Sequence, residues 1–201
     1  MTDWGVHLID VIHWAMGVDA PKTVAATGGK YVTNDNRETP DTIDVLYEYP
    51  QSNVSGGAFL MRFSHRNMNA HAPDGHGYGM QFYGSQGTLF VDRGGYTLWP
   101  EEDRKDPWGL EAVKSGSSVQ VGGSRQHHPH VLNFLECLRT RKKTNSDIET
   151  THRSTTAAHL GNIALRTGRK LRWDAARENF PGDPEANRHL AREYRKPWAV
   201  S

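Results

Sequence analysis

The chain opens on "MTDWGVHLIDVIHWAMG", where Asp3, His7, Asp10 and Trp14 recur at intervals of four, three and four. That spacing traces one stripe along an α-helix. Val6, Leu8, Ile9, Val11, Ile12, Ala15 and Met16 fill most of the remaining positions. The pattern predicts a helix over 3–16, apolar on most sides with a single polar stripe. Gly17 stands where a left-handed C-cap residue is favoured, and Pro21 follows shortly after. Gly5, inside the first turn, costs about 1 kcal/mol against alanine, which implies that another backbone or a ligand comes close there.

From Lys22 the period changes to two, and a sheet region is expected over 22–100. "TVAATGGKYVT" (23–33), "DTIDVLYEYP" (41–50) and "VSGGAFLMRFS" (54–64) read as strands, followed by "GMQFYG", "GTLFVDR" and "YTLWPE". In the second of these, Ile43, Val45, Tyr47 and Tyr49 share one face, and Thr42, Asp44, Leu46 and Glu48 the other. Short strands joined by tight glycine-containing turns pair antiparallel, because parallel neighbours need long crossovers. The expectation is a meander of five or six strands. Two stretches break the pattern: residues 65–79, rich in Gly, His and Asn, have the character of a functional loop. The polar, Gly/Ser-rich stretch 101–126 reads as a surface excursion.

Helical spacing returns at "HHPHVLNFLECLRTRKK", which predicts a helix over 129–141 with Pro129 at its first position and Val131, Phe134, Leu135 and Leu138 as its core face. A second helix over 147–167 opens with the capping-box spacing of Ser146 and Glu149 and closes at Gly168. Its small residues, Ser154, Thr155, Ala157, Ala158 and Gly161, allow it to lie tight against a neighbour. "KLRWD" (170–174) reads as a last edge strand, and residues 175–201 as a C-terminal tail holding a short helix after Asp183. Helix, then sheet, then helices predicts a single α+β domain over 1–201, with an open, largely antiparallel sheet and helices packed on one face. An apolar sheet face left in water seeks a partner, so a homo-oligomer formed through the sheet is expected, with the Ile43–Val45–Tyr47–Tyr49 face as one candidate interface.

With 24 basic and 23 acidic residues the net charge is only +1, so no nucleic-acid or membrane partner is expected. Cys137, the single cysteine, excludes an internal disulfide and reads as a small core residue in a reducing compartment. The chain has no apolar run long enough to span a bilayer, and a cytoplasmic location is the expectation.

Asp3 and His7 have the spacing of a general base with an orienting acid. His13 lies off the stripe and reads as a packed helix histidine. Arg62, Arg66, Arg93, His152 and Arg153 are candidates to contact an oxygen-rich ligand, with surface ion pairing as the competing role. His65, His71 and His76 form one histidine group and His127, His128 and His130 another. Neither has a metal-ligand spacing, and no metal is expected. "GHGYG" (75–79) is neither preceded by an apolar strand nor followed by a helix, so it is not a dinucleotide fingerprint.

The opening segment resembles the start of the C-terminal domain in the glucose–fructose oxidoreductase / inositol dehydrogenase / MocA-like family. "FYGSQGTLFVDRGGYTLWP", "HHPHVLNFLECLRTRKKTNSDIETTHRSTTAAHLGNIA" and "TGRKLRWD" are similar to later parts of that domain in the same order, so the resemblance covers essentially the whole chain. It implies the substrate-binding and oligomerisation half of an NAD(P)-dependent oxidoreductase acting on a sugar, cyclitol or related polyol. His7 would be the general base, Asp3 its orienting partner, and Arg66, His71, His76, His152 and Arg153 would border the substrate. NAD or NADP would be held by an N-terminal Rossmann domain carrying a Glu-Lys-Pro lysine. Neither that domain nor its lysine is found in this chain, so no cofactor and no activity are expected of the chain alone. The alternative is a stand-alone, non-catalytic sugar-binding or oligomerisation domain.

Overall fold

The computed structural model describes residues 1–71, 75–101, 117–120 (as backbone) and 127–198. In chain order the elements are α1 (Trp4–Met16), β1 (Thr23–Gly29), β2 (Thr42–Tyr49), β3 (Phe59–Arg66), β4 (Met80–Tyr83), β5 (Gly87–Asp92), β6 (Gly95–Pro100), β7 (Ser117–Gln120), α2 (His127–Thr140), α3 (Ile148–Thr167), β8 (Leu171–Arg172) and α4 (Pro184–Asn187). They form an α+β fold in which every strand pairing is antiparallel. The strands expected as one meander make two four-stranded sheets, ordered β3-β2-β1-β8 and β4-β5-β6-β7. The chain divides into two compact units: residues 1–69 with those from 148 onward, and residues 70–147.

The first unit is built on the alternation of β2. Ile43, Val45, Tyr47 and Tyr49 are all buried, at most 1% exposed, beneath Ile9 of α1 and Ala157, Ala158 and Leu160 of α3. That face is therefore the core and not an interface between copies, because these helices already cover it. The small residues of α3 act as expected. A Cβ added at Gly161 would lie 2.7 Å from the Tyr47 hydroxyl, and that hydroxyl donates to the Ala157 carbonyl at 2.9 Å. β8 continues the sheet beside β1, and Trp173 and Phe180 beyond it close the core edge-to-face with ring centroids 5.1 Å apart.

Several boundaries follow from local hydrogen bonding. Gly17 ends α1 in the left-handed region (φ 60°) and Gly168 follows α3 in the same conformation (φ 65°). β3 begins at Phe59 and not near Val54, because the Ser52 and Ser55 hydroxyls capture the backbone of the preceding turn. Asp183 caps α4 by accepting from the Ala186 N–H. Buried Asp41 accepts from the backbone N–H groups of Tyr31, Val32 and Thr33 and from the hydroxyls of Thr33 and Thr42. Those bonds, the Thr33 and Val32 amides foremost, hold its carboxyl well below the usual carboxylate range. They also tie the 30–41 connection to the sheet.

The second unit departs from expectation in two places. α2 begins at His127, so Pro129 lies within its first turn. Val131, Phe134, Leu135 and Leu138, expected as a core face, are about half exposed, and Cys137 is the buried residue of this helix. The reason is that none of the described residues packs over that face. β7 falls inside the stretch read as a surface excursion; the rest of 102–126 lies outside the described residues.

Gly161→Ala tests the close packing. Alanine favours a helix by about 1 kcal/mol, but overpacking against a ring fixed by its own hydrogen bond costs roughly 1–3 kcal/mol. The expected outcome is a lowered Tm in thermal unfolding, while Gly57→Ala, where an added Cβ meets nothing within 4 Å, leaves Tm unchanged.

Candidate functional site

Three contacts set α1 on the sheet. Gly5 lies against Phe63 of β3, where an added Cβ would be 3.5 Å from the ring. The close approach implied by Gly5 is thus made by a side chain of the sheet. Asp10 accepts from the Ser154 hydroxyl of α3 at 3.0 Å. His13 Nε2 is 2.7 Å from the Tyr49 hydroxyl, with the two rings edge to face. Since Tyr49 pairs with Phe59, α1 runs from the Arg66 end of β3 towards its Phe59 end. Asp3 and His7 flank Gly5 and so lie to either side of the Phe63 contact.

Both are exposed, and no hydrogen bond joins them; Asp3, at the N-cap, makes no side-chain cap either. The start of α1 thus presents an accessible imidazole and, at the N-cap, an accessible carboxylate that does not bond it; an accessible imidazole is chemically suited to accepting a proton from a hydroxyl. Trp14, at the far end of the stripe, is 83% exposed. Arg66 is exposed at the end of β3 in register with Thr42. His65 beside it bonds Asn67 through Nε2, and its Nδ1 is buried without a partner among the described residues.

His152 and Arg153 lie on α3 and form an ion network. His152 Nε2 is 2.7 Å from Glu178 Oε1, and Arg153 reaches Glu149, Glu178 and the Ala175 carbonyl. Glu178 adopts φ 51°, uncommon for a residue with a side chain, and its carboxylate meets His152 and Arg153 of α3. An open cleft of about 320 Å³ adjoins this network, lined by Asp19, Glu149, Thr150, Arg153, Ala175 and Ala176. In the second unit His71 is exposed, and His76 donates through Nδ1 to Asp92 Oδ2 at 3.1 Å. The seven candidates from the resemblance are therefore divided between the units: Asp3, His7, Arg66, His152 and Arg153 in the first, His71 and His76 in the second. No group of three or more metal-ligating side chains occurs among the described residues. No helix among them is long and apolar enough to cross a membrane.

The GFO/IDH/MocA C-terminal domain matches residues 1–90, and the C-terminal alpha/beta domain of the same oxidoreductase family matches residues 118–200. The chain belongs to the GFO/IDH/MocA oxidoreductase family. Solved structures share the fold. An NAD-binding oxidoreductase from Klebsiella pneumoniae superposes with a TM-score of 0.59 at 13% identity, over 84% of this chain and 49% of its own. UDP-N-acetylglucosamine 3-dehydrogenase from Acidithiobacillus ferrooxidans gives 0.58 at 14% identity, over 82% and 48%. A levoglucosan dehydrogenase solved with NADH and levoglucosan gives 0.59 at 11% identity, over 85% and 49%. The chain thus spans about half the length of these proteins. No curated protein sequence matches it.

Within this family fold, the residues that sequence reasoning passed over are the ones that hold others in place. Asp10 lay on the visible stripe, but its Ser154 partner is 144 positions away. Asp92 had a local signal, an acid before Gly94 and Gly95, whose N–H groups it accepts. Glu178 had none.

His13 makes the stability of this scaffold pH-dependent. Burial lowers its pKa from 6.5 to about 4, against the opposing pull of Asp19 and Asp10. A base depressed in the folded state contributes fully above pH 6.5 and loses that contribution as pH falls towards 4, for a total of roughly 3 kcal/mol. Urea unfolding at pH 7 and pH 4.5 should show this loss, and His13→Gln should reduce it.

Proposed function

We propose that this chain is the substrate-binding and oligomerisation part of an NAD(P)-dependent oxidoreductase acting on a sugar, cyclitol or related polyol. The observation that carries the reading is the family match at both ends of the chain, joined to an exposed Asp3–His7 pair at one end of α1. Two of the similar solved proteins are dehydrogenases of a sugar nucleotide and of levoglucosan, and the latter was solved with NADH. His7 accepts the proton of a substrate hydroxyl, with Asp3 at the α1 N-cap as the acid that orients the imidazole or the bound hydroxyl. Arg66 ends β3 in the outward row of Leu60 and Arg62, on the face away from α1, and is a candidate cation for ligand oxygens there and not a neighbour of His7. Arg153 lines the cleft beside α3, and His152 shares its partner Glu178; His71 and His76 are candidate ligand contacts of the second unit by itself.

A dinucleotide does not fit the described residues. Every strand pairing is antiparallel, so no βαβ unit presents a helix N-terminus to a pyrophosphate. The adjacent Gly28 and Gly29 serve strand packing instead, since an added Cβ at Gly28 would fall 2.3 Å from the Thr42 carbonyl oxygen. The nicotinamide is therefore assigned to a separate nucleotide-binding domain, and the chain alone is not expected to turn substrate over.

Joining a nucleotide-binding domain of this family to the N-terminus should yield sugar- or polyol-dependent reduction of NAD(P), measured by absorbance. His7→Ala should then lower kcat/KM by at least about a hundredfold. Activity that survives the substitution undiminished removes His7 from the mechanism.

Association between copies is assigned to the outer face of the first sheet. There Leu46 and Leu60 are 43% and 63% exposed. The Arg62–Asp44 and Lys170–Glu48 ion pairs accompany them on the outward strand positions and at the edge. A self-complementary apolar patch with charged neighbours suits a two-fold interface. Sedimentation should find an oligomer that Leu60→Asp converts to monomer; a monomeric wild-type chain defeats the assignment.

A further inference from the structure

The second sheet carries a different arrangement from the Asp3–His7 pair. Along β5, Thr88, Phe90 and Asp92 alternate onto one face, and the register adds Gln81 and Tyr83 from β4 and Thr97 and Trp99 from β6. His76 lies over this face, its ring centroid 4.1 Å from that of buried Phe90. Its Nδ1 is 3.1 Å from Asp92 Oδ2, while Asp92 Oδ1 accepts from the N–H groups of Gly94 and Gly95 at 2.6 and 3.1 Å. The β5–β6 turn thus fixes the carboxylate, and the carboxylate and the phenyl ring together fix the imidazole. A carboxylate partner at Nδ1 places the neutral ring's proton there and leaves the Nε2 lone pair as an acceptor. The His76 side chain remains 37% exposed.

The composition of this face decides what could meet that acceptor. Its positions on β4, β5 and β6 carry no lysine or arginine, and Asp92 is their one formal charge. A phosphate or carboxylate would be repelled and find no cation among these positions. Hydroxyl and amide groups of Thr88, Thr97 and Gln81 suit a neutral, hydroxyl-bearing ligand instead. Ring surface is available as well. Tyr83 is 78% exposed, with its hydroxyl donating to Gln81 Oε1 at 2.7 Å, and Trp99 lies two strands away in the same row. Aromatic faces with convergent neutral polar groups are the chemistry of small polar-ligand recognition.

We propose that His76, oriented by Asp92, binds a hydroxyl group of a neutral polyol on this face of the second sheet, with Tyr83 and Trp99 providing ring surface. His76 is the contacting residue and Asp92 a positioning residue. The ligand class rests on the function proposed above; the geometry rests on this face alone. A purely structural pair would pin the segment before β4 to the hairpin and respond to no ligand.

Nitrogen-detected NMR of the labelled chain separates the two. The imidazole of His76 should show a protonated Nδ1 and an unprotonated Nε2. Titration with myo-inositol or D-glucose should shift its Nε2 resonance saturably. Asp92→Asn should disturb the tautomer and weaken the response about fivefold or more, the order expected for losing one oriented hydrogen bond, with partial recovery in Asp92→Glu. Tyr83→Ala, which removes only an exposed ring, should weaken binding without altering the tautomer or the fold. Absence of a saturable shift at His76 with both polyols overturns the proposal, as does a response unchanged in Asp92→Asn and Tyr83→Ala. Neither result touches the His7 assay, whose failure would in turn leave this titration unaffected.

Discussion

The first unit depends on how closely α3 can approach β2. Ala157, Ala158 and Gly161 present almost no side chain to the sheet, so the helix backbone comes within reach of the Tyr47 hydroxyl. That hydroxyl is fully buried, and burial raises its pKa well above the ordinary tyrosine value. It therefore stays protonated and donates to a helix carbonyl, which has a second lone pair to offer. A larger residue at 161 would push the helix away and break a hydrogen bond in a place that water cannot reach.

The position of α1 is inherited from that packing. Ser154, on the same helix as Ala157, receives Asp10 as its acceptor, and Tyr49, two residues along β2 from Tyr47, meets His13. Asp3 and His7 make none of these contacts, yet their place on either side of the Gly5–Phe63 contact follows from them. The division separates the residues that bear the packing cost from the histidine left exposed. His13 shows the contrast within a single helix. Buried beside a tyrosine it is held neutral well below pH 6.5, a role in packing that excludes proton exchange near neutrality.

Similarity to solved oxidoreductases at 11–14% identity with TM-scores of 0.58–0.59 has the same origin. A fold held by alternation, small helix residues and caps tolerates wide change at its surface, since burial and hydrogen bonding constrain the interior positions most strongly. The candidate ligand contacts are mainly surface groups. Arg153 illustrates the consequence: it borders a cleft, but Glu149, Glu178 and the Ala175 carbonyl already occupy its guanidinium.

Periodicity alone determined the local elements: α1 and its Gly17 cap, α3 with its small face, the β8 edge strand, and the alternation of β2. These depend on residues near one another in the chain, where spacing translates directly into a face. The family resemblance was legible for the same reason, being carried by local motifs. Only the tertiary structure decided which face of β2 is the core, that the strands divide between two sheets, and that the apolar positions of α2 are exposed. It also decided the partners of Asp10, His13, Asp41 and Glu178. Alternation says that a strand has two faces but not which will meet a helix, and a hydrogen bond such as Asp10 to Ser154, 144 residues apart, leaves no trace in local spacing. The Asp–His pair marked by helical periodicity is accessible and unbonded, whereas the hydrogen-bonded Asp92–His76 pair spans 16 residues and two turns of chain. Spacing reports adjacency along one element; orientation of a side chain is set by what folds against it.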